Sequence, residues 1–177
     1  MVWIYGGGFI RGSADQKKYG PDYLIAEDVI LVSFNYRVGA FGFLMIDDPK
    51  YKISGNAGLK DQCLALKWIK ANIERFGGDS QNITLFGQSA GSVSVNYHMV
   101  SPMSEGLFHK AILMSGTVFN SWASVSDRKW AKRLAVGLGW NKNRSTGSMV
   151  KFLLAANPIK IVEVQNGILT KYVRLSK

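Results

Sequence analysis

Short apolar runs alternating with helix-patterned stretches along the first two thirds of the chain predict an α/β protein, with a mostly parallel sheet of about four strands flanked by helices. An amphipathic helix between two of those runs points the same way. With 177 residues, 47% hydrophobic and 12% aromatic, the chain can bury a real core, which excludes disordered and collagen-like classes.

Strands are expected over residues 1–5, 29–35, 83–86 and 111–114. Each is rich in β-branched or bulky side chains without strict alternation, as befits strands covered on both faces. Between the second and third, Leu59, Cys63, Leu66, Ile69, Ile73 and Phe76 recur at spacings of three and four, while Lys60, Asp61, Lys67, Lys70 and Glu74 fill the wet positions. Gly77-Gly78-Asp79 stops that helix with residues tolerant of positive φ. A further helix is expected over residues 92–100. After Trp122 the strand pattern ends, and helices are expected at about 127–137, 146–156 and 158–165, with Pro158 suited to a first helical turn. No repeat or low-complexity linker marks a second complete domain.

The net charge of +10 raises the question of a nucleic-acid or membrane-surface partner, and its distribution answers much of it. Residues 1–120 carry 11 basic and 10 acidic side chains, whereas residues 121–177 carry 11 basic ones against Asp127 and Glu163. Arg128, Lys129, Lys132, Arg133, Lys142 and Arg144 lie mostly at amphipathic helical spacing rather than interleaved with stacking aromatics. They therefore read as a solvated or partner-facing helical surface, not a nucleic-acid module. Apolar runs such as residues 29–32 fall far short of the ~20 residues needed to cross a bilayer, so no transmembrane segment is expected. The chain opens without a signal-peptide pattern, and its compartment cannot be read. The single Cys63 excludes an internal disulfide and a multi-cysteine zinc site, and reads as a small buried hydrophobe rather than a reactive nucleophile.

Chemistry concentrates in Gly87-Gln88-Ser89-Ala90-Gly91, where a buried strand runs through Gly-x-Ser-x-Gly into a helical segment. The same five letters occur in ordinary loops, but a strand before and a helix after are what a nucleophile elbow demands. Gly87, Ala90 and Gly91 supply the small neighbours that such a strained turn requires around Ser89. A second motif, Trp3-Ile4-Tyr5-Gly6-Gly7-Gly8-Phe9, also closes an apolar strand. Its successive glycines let backbone amides approach a ligand, as an oxyanion hole requires, with Gly7, Gly8 and the amide of Ala90 as the candidate donors. A dinucleotide-type turn is the alternative, but Gly-x-Gly-x-x-Gly opening a helix is absent.

Together these residues resemble the type-B carboxylesterases and cholinesterases of the α/β-hydrolase fold. Val2 to Phe9 is similar to that family's oxyanion segment, with Tyr5 where many carboxylesterases have His. The run Asn35-Tyr36-Arg37-Val38-Gly39-Ala40-Phe41-Gly42-Phe43-Leu44 matches a typical stretch. Gly55-Asn56-Ala57-Gly58-Leu59-Lys60-Asp61-Gln62, Phe76-Gly77-Gly78-Asp79, Gly106-Leu107-Phe108 and Ala111-Ile112-Leu113-Met114-Ser115-Gly116 follow at family-like intervals. The resemblance is dense over about residues 1–125 and weak beyond.

It implies a serine carboxylic ester hydrolase in which Ser89 attacks the carbonyl, a His acts as base and then acid, and an Asp or Glu orients that His. No cofactor and no metal are implied, and the implied partner is a small-molecule carboxylic ester. In this fold the triad runs nucleophile, acid, histidine. After Ser89 the sequence offers Glu105, Asp127 and Glu163 as acids, and His98 and His109 as histidines, which match no family triad segment and read as structural or surface residues. The simplest account is an incomplete α/β-hydrolase catalytic domain over residues 1–177, with sheet and elbow in 1–120 and a basic helical segment in 121–177. The remainder of the domain lies elsewhere, and the isolated chain is expected to be nearly inactive and poorly soluble. For the full-length protein the resemblance suggests a secreted or endoplasmic-reticulum setting. The alternative from another class is a catalytically inactive, cholinesterase-like binding or adhesion module.

Gln88 stands where cholinesterases and many carboxylesterases have Glu, as it does in insect juvenile hormone esterases and several other insect carboxylesterases. The change removes a negative charge beside the nucleophile and makes choline esters less expected. Trp122 resembles a family tryptophan near the acyl pocket, with ordinary core packing as its alternative reading. Asn143-Arg144-Ser145 is a glycosylation sequon in a polar loop, whereas Asn82-Ile83-Thr84 opens a buried strand.

Overall fold

The computed structural model describes residues 1–124 and 129–175. Its strands are β1 (Val2–Ile4), β2 (Val32–Ser33), β3 (Thr84–Gln88) and β4 (Lys110–Met114). Its helices are α1 (Asp22–Ile25), α2 (Gly39–Phe43), α3 (Ala57–Asn72), α4 (Ala90–Val100), α5 (Trp130–Gly137), α6 (Thr146–Ala155) and α7 (Pro158–Leu175). The chain divides into two compact units, Met1–Val38 with Ala57–Ser124, and Gly39–Asn56 with Val125–Lys177. No helix among the described residues is long and apolar enough to cross a membrane.

The first unit holds the sheet, whose order is β2-β1-β3-β4 with all neighbours parallel. All four strands fall where the sequence predicts them, with shifted ends. β2 is cut to Val32–Ser33 because it sits at one end of the sheet and pairs only with β1. β3 runs on through Gly87 and Gln88, which pair with Leu113 and Met114 of β4. α3 buries Cys63, Leu66 and Ile69 of the expected face, and Ile73 follows, but Phe76 is 62% exposed because the chain has left the α-helical period for a 3-10 turn by that point. Leu66 is fully buried, so Leu66→Ala would cost about 2–5 kcal/mol in lost burial and residual cavity. A 3-10 turn (Ile73–Phe76) extends α3. Gly77 closes it at φ 81° by donating its N–H to Glu74, as the Gly77-Gly78 stop predicts. Cys63 is buried, with its thiol 3.1 Å from the Met103 carbonyl oxygen.

In the second unit Ile46, Ala131, Ala135, Trp140, Met149 and Val150 form a core against which Tyr51, Ile53 and Phe152 pack. Ser145 caps α6 by accepting from the Ser148 N–H. The start of α5 expected near Asp127 lies outside the described residues. α7 begins at Pro158 as expected but continues past 165 to Leu175. Gly137 on α5 leaves room for α7, since a Cβ there would lie 2.6 Å from Val164. Lys132, Lys142, Arg144, Lys151 and Lys160 are exposed, as amphipathic spacing predicts for basic residues.

Candidate functional site

The pairing register explains why two motifs more than 80 residues apart in sequence meet. Ile4 of β1 pairs with Gly87 of β3, and both strands run the same way. One step on, Tyr5 falls beside Gln88; two steps on, Gly6 falls beside Ser89. A Cβ on Gly6 would lie 2.4 Å from the Gln88 carbonyl oxygen and 3.1 Å from the Ser89 Cβ, so only glycine fits there. β4 adds a third segment at the same edge, because Gly116 lies two residues beyond its end. A Cβ on Gly116 would meet the Ser89 carbonyl oxygen at 3.0 Å, the Trp122 indole at 3.2 Å and Val93 at 3.3 Å. All three segments leave the carboxyl ends of adjacent parallel strands, where open α/β sheets collect ligands.

Ser89 stands between β3 and α4 at φ 55°, ψ −122°, a conformation that costs a non-glycine residue roughly 1–3 kcal/mol. Its backbone is held on both sides: its N–H donates to Met114 at 2.8 Å, and its carbonyl accepts from Val93 at 3.0 Å. The hydroxyl makes no capping bond to the helix it begins. The flanking glycines permit the turn through contact rather than flexibility. A Cβ on Gly91 would sit 2.0 Å from the Ile4 carbonyl oxygen, and one on Gly87 would sit 2.5 Å from the Gly91 carbonyl carbon. The first turn of α4 therefore lies directly on β1.

Gly7 and Gly8 follow Gly6 at φ 133° and 63°. The Gly7 carbonyl accepts from the amides of Ile10 and Arg11, which turns the segment back on itself. Ala90 is fully buried at the start of α4, and Gln88 is exposed beside Ser89. Trp122 is 43% exposed, with its indole against Gly116. Every sequence-predicted site residue thus belongs to the first unit. Gly6 and Gly116, whose close approaches join Ser89 to the other two segments, carry no signal of their own in the sequence. Each stands inside a longer motif, and only the strand register gives it its role.

The two histidines are engaged elsewhere. His109 accepts the Ile83 N–H on Nδ1 at 3.1 Å, at the opposite end of β3 from Ser89. His98 is buried on α4, with Nδ1 2.7 Å from Ser104 Oγ and Nε2 2.9 Å from Gln62 Oε1. Gln62 Nε2 in turn donates to Ser94 Oγ, which donates to the Ala90 carbonyl. Because Gln62 Oε1 only accepts, His98 carries its proton on Nε2 and accepts from Ser104, and the chain runs one way to Ala90. Burial pushes His98 down to about 4, so the ring is neutral at physiological pH. Burial also raises Tyr5 and Tyr36 above the ordinary tyrosine range, keeping both phenols protonated.

The fold defined by this sheet is the α/β-hydrolase fold. Juvenile hormone esterase from Manduca sexta, whose crystal structure carries OTFP covalently attached, matches at a TM-score of 0.86 and 34% identity over 97% of this chain and 32% of that one. The profile of the carboxylesterase family matches residues 1–176, and the chain belongs to that family. It is similar to esterase B1 of Culex pipiens (46% identity over 170 residues, 96% of this chain and 32% of the relative). It is also similar to acetylcholinesterase of Myxine glutinosa (46% over 172 residues, 95% and 50%). The chain thus spans between about a third and a half of the length of these relatives.

Proposed function

We propose that this chain carries the nucleophile elbow and oxyanion hole of a carboxylic ester hydrolase that works through an acyl-enzyme on Ser89. The observation that supports the reading most directly is the close approach of Gly6 to the Gln88 carbonyl and the Ser89 Cβ, which sets the start of the glycine loop against the proposed nucleophile. Ser89 Oγ attacks the ester carbonyl carbon and gives up its proton to a base. Negative charge develops on the carbonyl oxygen, and the amides of Gly7, Gly8 and Ala90 receive it, each such donor being worth about 3 kcal/mol. The tetrahedral adduct collapses by expelling the alcohol, which takes the proton, and water then hydrolyses the acyl-serine. The imidazole base and its orienting carboxylate come, in this reading, from polypeptide outside these 177 residues, since His98 and His109 are bonded away from Ser89.

Gln88 leaves the residue next to Ser89 uncharged, which favours neutral, largely apolar esters over cationic choline esters. The covalent attachment of a small molecule in the Manduca sexta relative is consistent with a nucleophile in this family. The test is to treat the folded full-length product with an uncharged fluorophosphonate and map the adduct by mass spectrometry. A single adduct on Ser89, absent in Ser89→Ala, with turnover of neutral but not choline esters, is the expected result. A folded protein that takes no adduct on Ser89 would overturn the hydrolase reading in favour of a binding module.

A further inference from the structure

The glycine loop needs an external constraint, because glycines at φ 133°, 63° and 125° (Gly7, Gly8 and Gly12) have the widest conformational freedom of any residue. One side-chain pair supplies it. Tyr36 Oη donates to the Tyr5 carbonyl at 2.7 Å, the last carbonyl before Gly6. Tyr5 Oη donates back to the Tyr36 carbonyl at 3.0 Å and accepts the Tyr36 N–H at 3.3 Å. The rings stack with centroids 4.4 Å apart and planes 17° apart, and the residues are 1% and 5% exposed. The loop then closes over the Tyr5 ring: a Cβ on Gly12 would lie 2.6 Å from that ring and from the Gly6 carbonyl oxygen.

From this geometry we propose that Tyr36 is a positioning residue, its hydroxyl fixing the Tyr5 carbonyl and, with the Tyr5 ring as a floor, holding the Gly7 and Gly8 amides in place before an ester arrives. The inference rests on the reading of those amides as oxyanion donors. Donors that are already oriented need no reorganisation as charge develops, which is where such a hole gains its advantage over water. Tyr36 touches no reacting atom; it acts through the peptide that precedes the glycines.

The test compares the folded protein with its Tyr36→Phe and Tyr5→Phe variants by amide hydrogen exchange, with Leu66 and Ile69 in α3 as internal references. Tyr36→Phe strands the Tyr5 carbonyl, and exchange at Gly7 and Gly8 is expected to rise roughly tenfold relative to the references. Fluorophosphonate inactivation should slow by a similar factor at saturation, with the half-saturating concentration unchanged. Tyr5→Phe keeps both the ring and the bond to the carbonyl, so its effect on Gly7 and Gly8 is expected to be smaller. Should Tyr36→Phe not fold, 3-fluorotyrosine at position 36, a stronger donor, is expected to slow exchange there. Glycine amides that merely track the α3 references, a Tyr5→Phe effect as large as that of Tyr36→Phe, or no response to the fluorinated ring would overturn the proposal. Failure of the unsubstituted protein to label at Ser89 would defeat the hydrolase reading alone, since amide exchange still reads the clamp.

Discussion

The carbonyl oxygen of Ile4 occupies the space that a side chain on Gly91 would need, 2.0 Å from where its Cβ would stand. Helix α4 can start immediately after Ser89 because its first turn rests backbone to backbone on β1. The Ile4 carbonyl carbon and the Tyr5 carbonyl carbon follow at 2.8 and 2.9 Å, and since all three atoms are backbone, Gly91→Ala must move the helix or the strand. Equilibrium urea unfolding is expected to give a loss of about 3 kcal/mol or failure to fold. Gly167 in α7 is the counter-case, with nothing within 4 Å of where a methyl would stand and no positive φ. Gly167→Ala is expected to stabilise by about 0.5–1 kcal/mol through helix propensity. Equal effects of the two substitutions would contradict the contact argument.

Gly6→Ala tests the contact between the two motifs. The new methyl would meet the Gln88 carbonyl oxygen at 2.4 Å and the Ser89 Cβ at 3.1 Å. Relief requires the loop to withdraw from Ser89, and on the proposed reading this separates donors from nucleophile. Losing the use of one donor corresponds to about a hundredfold slower fluorophosphonate labelling. Gly77→Ala is the control: Gly77 has positive φ and stands in open space, so its strain should lower stability without changing labelling of the folded fraction. A Gly6→Ala variant that labels at the original rate would remove the main support for the oxyanion assignment.

His98 should make the fold acid-sensitive. Its folded value is pushed down to about 4 by burial, against 6.5 for an ordinary imidazole, so below 6.5 the unfolded chain binds a proton that the folded chain refuses. Stability contributed by the neutral ring is complete above the unfolded value, falls as pH drops from about 6.5 to 4, and loses nothing further below the folded value. The whole window corresponds to about 3 kcal/mol. His98→Gln should be less stable at pH 7, through loss of the bonds to Gln62 and Ser104, yet flatter across that window. Urea midpoints at pH 7, 6, 5 and 4 give the comparison, and parallel pH profiles for the two proteins would refute it.

Much of this arrangement was legible in the sequence because it is written locally. Gly-x-Ser-x-Gly announces a strand-to-helix turn, the Cys63 to Ile73 spacing announces a covered helix face, and Gly77-Gly78 announces its end. Parallel strands release their loops at one edge, so two motifs that each close an apolar run were bound to meet if their strands were neighbours. What stayed hidden was non-local or irregular. The five residues of α2 include two glycines and have no helical period. The Tyr5–Tyr36 bonds join residues 31 apart, and Ile46 packs with Trp140 and Met149 across about 100 residues. The start of α4 at Ala90 rather than 92 depends on the bare backbone contact with Ile4, which no side-chain pattern records.

Trp122 offers the last test, one that separates a pocket wall from core packing. At 43% exposure it is only partly covered, and its indole meets Gly116 at the point where Gly116 also meets the Ser89 carbonyl oxygen. A residue whose purpose is burial would lose stability on truncation and leave selectivity alone. One that bounds the space beside Ser89 would do the reverse. On the proposed hydrolase reading, Trp122→Ala in the full-length protein is expected to raise the ratio of kcat/KM for a hexanoate over an acetate ester by about tenfold, the usual worth of one or two methylenes in an apolar pocket. Its urea midpoint should move little, because a half-exposed ring gives up less apolar burial than a core one. An unchanged ester ratio accompanied by a stability loss of about 3 kcal/mol or more would assign Trp122 to packing.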